Sequence, residues 1–90
     1  MLKTVSILVT GKVQAVWYRK YTLDKAVELN ITGFVKNLPD DSVYIVATGT
    51  AEQVQQLAEW CWTGSPRSKV LSVTVDNLEL KEFERFEVVR

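Results

Sequence analysis

Ninety residues make one domain, 1–90, with room for a single modest core, and 47% hydrophobic with 24% charged residues argues against disorder. Eleven basic residues balance eleven acidic ones, which weighs against general nucleic-acid binding, since that needs a clustered basic excess. With no histidine and one cysteine, Cys61, the chain excludes Ser-His-Asp and Cys-His nucleophile systems, histidine-based zinc sites and an intrachain disulfide.

The opening "MLKTVSILVTGK" lacks a secretory cleavage site and reads as a strand. No apolar run approaches the roughly 20 residues that span a bilayer, so a cytoplasmic protein without a membrane partner is the expectation. Residues 4–10 alternate, with Val5, Ile7 and Val9 on one side, which predicts a half-buried strand. Residues 18–30 switch to helical spacing. At about 100° per residue, Tyr18, Thr22, Ala26 and Leu29 gather with Leu23 and Val27, while Lys20, Asp24, Lys25 and Glu28 lie opposite. Arg19 falls inside the apolar arc, where an arginine lays its stem on the core and lifts its head to water.

Gly33 is expected to end that helix and open a hairpin: a strand at 34–38, a turn through Pro39, Asp40 and Asp41, and a strand at 42–48. Thr50 with Gln53 three residues later is a capping-box pattern, and in the helix that follows Val54, Leu57, Ala58 and Cys61 share a face. Cys61 therefore reads as a small core residue, not a nucleophile. "TGSPRSK" breaks the helix, "VLSVTVDNLEL" alternates as a long strand, and "FERFEVVR" ends in a short edge strand with Phe86 and Val88 inward. The order β-α-β-β-α-β with a terminal β predicts an α+β, ferredoxin-like sandwich, its antiparallel sheet carrying both helices on one face. That fold hosts many functions and decides none of them.

The junction "GKVQAVWYRK" is where chemistry concentrates. Helix starts are usually covered by Ser, Thr, Asp or Asn, and none of these occurs from Gly11 to Tyr21. Either water satisfies the first amides or they are kept for an anion. A run of amides from Gln14 to Arg19 has the size of a phosphate cradle, to which Arg19 adds a planar fork. Asn37 shares its strand face with Val35, so if Val35 meets the helices Asn37 projects from the end of that face; its competing role is turn formation before "LPDD".

"G-K-V-Q-A-V-W-Y-R" followed by "G-F-V-K-N" closely resembles the signature of the small acylphosphatases, Gly-x-Val-Gln-Gly-Val-x-Phe-Arg and then Gly-Trp/Phe-Val-x-Asn. "TGSP" and the ending "F-E-V-V-R" extend the resemblance along the whole chain. It implies hydrolysis of a small acyl phosphate to a carboxylate and inorganic phosphate, with the phosphate also a competitive inhibitor, no metal or organic cofactor, and a monomer. In the family the loop arginine binds phosphate and the asparagine orients the attacking water; those positions match Arg19 and Asn37. The amides of Gln14, Ala15, Val16, Trp17, Tyr18 and Arg19 would complete the cradle. Two departures stand out. Asp41 replaces a turn glycine, a mild change because Asp visits left-handed conformations. Ala15 replaces the loop glycine; if positive φ is needed there, its Cβ costs about 1–2 kcal/mol and turnover is expected to suffer, the alternative being a weakly active domain that binds phosphate or acyl phosphates. Trp17 is expected to cover the helix start in preference to lining an acyl pocket. A ferredoxin-like RNA-binding module is the rival class, with only Tyr44 of "SVYIVAT" and no net charge to support it.

Overall fold

Alternation carries the first strand further than 4–10. In the computed structural model, which describes residues 1–90, β1 runs Leu2–Lys12 and is followed by α1 (Tyr18–Glu28), β2 (Thr32–Asn37), β3 (Val43–Thr50), α2 (Ala51–Thr63), β4 (Lys69–Leu78) and β5 (Phe86–Val89). The sheet order is β4-β1-β3-β2-β5, the ferredoxin-like arrangement with one strand added beside β2. No helix is long and apolar enough to cross a membrane.

One face of the sheet follows directly from strand periodicity. Val5, Ile7 and Val9 of β1 pair with Ala47, Ile45 and Val43 of β3, and all six are at most 2% exposed. Tyr18 and Ala26 from α1, with Val54, Leu57 and Cys61 from α2, close the same core. Thr50 caps α2 as its sequence pattern predicts: its Oγ1 accepts from Gln53 N at 3.1 Å, and its own N–H donates to Gln53 Oε1 at 2.9 Å. Burial pushes the Cys61 thiol up to about 12, so it stays protonated at neutral pH and serves packing.

Three expectations need correction. The sheet is mixed, because β5 pairs with β2 in parallel while the other pairings are antiparallel. After β4 the chain crosses the face opposite the helices, where the Lys81 backbone bonds the Thr4 and Thr48 hydroxyls. It reaches the far edge at the end where β2 begins, Phe86 beside Gly33. Helix α1 ends near Leu29, and Asn30 at φ 60° supplies the left-handed residue expected of Gly33. Gly33 instead lies within β2, where a Cβ would fall 1.9 Å from the Val46 carbonyl oxygen. Finally, Val27 is 60% exposed; the buried stripe of α1 is only Tyr18, Thr22 and Ala26.

Candidate active site

Because β1, β2 and β5 all run the same way, their C-terminal ends meet at one edge of the sheet. The 13–17 segment leaves β1 there and delivers the N-terminus of α1 to the same place. Side chains alternate through this segment: Val13, Val16 and Tyr18 are buried in the core, while Ala15 and Trp17 face out. Two residues take left-handed backbone, Ala15 at φ 57° and Trp17 at φ 65°. Trp17 is the N-cap of α1 and provides no side-chain cap. None of the amides from Gln14 to Trp17 donates to a backbone carbonyl. Together with the uncovered first turn of α1, whose dipole is positive at this end, they form a run of donors without acceptors.

The loop is held by polar ties that sequence reading missed. Besides its amide, Gln14 uses its side chain, which donates to the Leu38 and Ser42 carbonyls at 2.9 and 2.7 Å and fastens the loop to the β2–β3 turn. Ser65 Oγ donates to the Val16 carbonyl at 2.7 Å, and the Tyr18 hydroxyl to the Cys61 carbonyl at 2.7 Å. Burial pushes the Tyr18 phenol well above its ordinary value, which leaves that hydroxyl a permanent donor. Gly64, at φ 63°, lies against Tyr18: a Cβ there would come within 2.6 Å of the ring. "TGSP" is thus the brace behind the loop.

Across from the loop, Val73, Val9, Val43 and Asn37 stand in one row over β4, β1, β3 and β2. Asn37 therefore occupies a core-facing position at the row's end, as the alternation with Val35 implies. Its Oδ1 is buried and accepts no hydrogen bond. The turn itself is held by Asp40, whose carboxylate accepts from the Ser42 N–H and hydroxyl, at 3.1 and 2.5 Å, and is lowered in pKa by those bonds. Asp41 takes φ 73°, the conformation a turn glycine would adopt.

Arg19 and Asn37 line the same cleft, of about 510 Å³, with Ala15 and Trp17 from the loop and Val88 and Arg90 from the C-terminal segment. Nη1 of Arg19 donates to the Val89 carbonyl at 3.1 Å, its one hydrogen bond, so β5 steadies the guanidinium and leaves the rest of its fork unused. No acidic side chain lines the cleft. Lys20, on its rim, is already paired with Asp24 at 2.7 Å. No three His, Cys, Asp or Glu side chains are grouped to hold a metal ion. A pocket lined by two arginines, Arg19 and Arg90, beside unbonded loop amides suits an anion.

A family model for acylphosphatase matches residues 5–88. The chain belongs to the acylphosphatase family. The acylphosphatase of Methylococcus capsulatus is 46% identical over 99% of this chain and 98% of that protein, and that of Shewanella amazonensis is 46% identical over 90% of this chain and 89% of its own. Among solved structures, the Bacillus subtilis acylphosphatase superposes with a TM-score of 0.95 at 35% identity, covering 100% of both chains. The Coxiella burnetii acylphosphatase gives 0.94 at 35% identity over 98% of this chain and 93% of that one. Family membership makes the chain an acylphosphatase-type hydrolase. Within that framework Arg90 and Val88 are additions that the sequence reading did not make, because their place depends on the parallel docking of β5.

Proposed function

We propose that the cleft hydrolyses small acyl phosphates to a carboxylate and inorganic phosphate. The observation that carries this reading is the convergence, in one cleft without acidic side chains, of Arg19, the loop residues Ala15 and Trp17 with their unbonded amides, and Asn37, whose Oδ1 has no partner. Gln14 and Val16 lie behind that lining. The phosphoryl oxygens lie on the amides of residues 14–19 and on the fork of Arg19, which hold them by charge-assisted bonds. Asn37 positions the attacking water; the two arms of an amide exchange by a half-turn, so the side chain presents either an acceptor or a donor to it. Water adds to phosphorus as the bond to the acyl oxygen breaks, and the electron pair leaves with the carboxylate. A carboxylate is a good leaving group, so no general acid is needed to expel it, and placement with charge stabilisation carries the reaction. The water's proton passes to a phosphoryl oxygen, since a neutral amide is no base.

Benzoyl phosphate is the assay substrate: hydrolysis above the uncatalysed rate, inhibited competitively by inorganic phosphate, is expected, and a rate equal to the uncatalysed one would overturn the proposal. The proposed chemistry draws only on side chains and amides. EDTA should therefore leave kcat/KM unchanged, and activity lost to the chelator and restored by magnesium would contradict the mechanism.

Ala15 tempers the rate. A non-glycine residue in left-handed backbone costs about 1–2 kcal/mol. The part of that cost present throughout the cycle lowers stability, and the part that grows as the loop tightens on the phosphoryl group raises the barrier. Ala15→Gly should raise kcat/KM about three- to tenfold. Its melting temperature should stay within a few degrees of the parent, because strain relief is offset by glycine's greater unfolded freedom, worth about 0.4–1 kcal/mol. A kcat/KM at or below that of the parent would show that the alanine does not slow the enzyme.

A further inference from the structure

Trp17 is at odds with the rest of the loop. It is a bulky aromatic at φ 65°, where such residues are rare outliers, and it is 73% exposed, so it does not cover the helix start. No aromatic ring or cation of the chain stacks on its indole. Backbone strain that buys no packing points to a use at the site. Trp17 lines the cleft with the apolar Val13, Ala15 and Val88 as well as with Arg19 and Asn37.

Size and direction then assign this lining. A phosphoryl group fills about 100 Å³ on the scale of roughly 30 Å³ per water, a small part of the approximately 510 Å³ cleft. In-line displacement sets the leaving carboxylate opposite the attacking water. The acyl portion therefore takes the volume on the side away from the water, and Trp17 is the one exposed aromatic side chain among the residues that line the cleft. Building on the hydrolysis proposed above, we infer that Trp17 is a specificity residue whose indole stacks on the acyl group and that the enzyme prefers acyl phosphates with an aromatic acyl portion.

The test is the ratio of kcat/KM for benzoyl phosphate to that for acetyl phosphate, in the parent, Trp17→Ala and Trp17→Gly. The glycine variant suits the left-handed backbone and guards against misfolding. Effects on the loop shared by both substrates cancel from the ratio. Loss of a stacked ring should lower it about five- to tenfold in both variants, and Trp17→Phe should keep most of the preference. A ratio within twofold of the parent in both variants would overturn the inference while leaving the hydrolytic reading standing. A parent that hydrolyses neither substrate would overturn both.

Discussion

Arg19→Gln lowers kcat/KM by about a thousandfold or more, the scale seen when an arginine that meets developing phosphoryl charge is removed, and inorganic phosphate ceases to inhibit at concentrations that inhibit the parent. Both losses have the same origin. The cleft has no acidic lining; of its cations Lys20 is engaged with Asp24 and Arg90 enters from the C-terminal segment, so Arg19, which follows the loop in the chain, is the guanidinium placed beside the loop amides. Its single bond to the Val89 carbonyl is exposed, so the substitution should lower the melting temperature little. Arg19→Lys keeps the charge and loses the fork, and should recover only part of the activity. Phosphate inhibition that survives Arg19→Gln unchanged would remove Arg19 from the site.

Asn37→Ala is expected to separate catalysis from binding. If its carboxamide places the water, kcat should fall about 100-fold or more while the inhibition constant of inorganic phosphate changes by less than about threefold. Stability supplies an independent check. The Oδ1 of Asn37 has no hydrogen-bond partner within the protein, so the substitution breaks no bond of the fold and should leave the melting temperature close to that of the parent. A purely turn-forming Asn37 predicts the reverse, near-normal kcat and a less stable protein. The turn's own bonds run through Asp40 and Ser42, which favours the first outcome.

How much of this was legible in the chain depended on whether a signal was local. Period-two alternation in "TVSILVT", the Thr50–Gln53 box and the missing cap before Tyr18 are properties of neighbouring residues, and the structure carries each of them, except that β1 is not half-buried: Thr4 and Ser6 on its other face are buried as well, Thr4 bonded to the crossing chain at Lys81. The alternation of Val35 and Asn37 was equally readable. What failed was tertiary. The parallel docking of β5 on β2 depends on a crossing over the sheet's open face, for which "KEFERFEVV" has no local mark. Arg90 and Val88 were missed for that reason. Gly33 looked like a helix stop, whereas its constraint is the Val46 carbonyl of a neighbouring strand, and Asn30 took the stop because asparagine tolerates left-handed backbone. The Gln14 side chain was missed for a similar reason: its acceptors, the carbonyls of Leu38 and Ser42, lie more than twenty residues away and become neighbours only when the β2–β3 turn folds beside the loop.

The most direct test of the central claim is benzoyl phosphate hydrolysis in water enriched in heavy oxygen, with both products weighed by mass spectrometry. Water held by Asn37 against a phosphoryl group bound at Arg19 must join phosphorus. The expected result is turnover well above the uncatalysed rate, with the label in inorganic phosphate and benzoate carrying only the natural isotope. Label in benzoate would mean that water attacks the carbonyl carbon, and it would contradict the assignment of Arg19 and Asn37 even if the chain proved fully active.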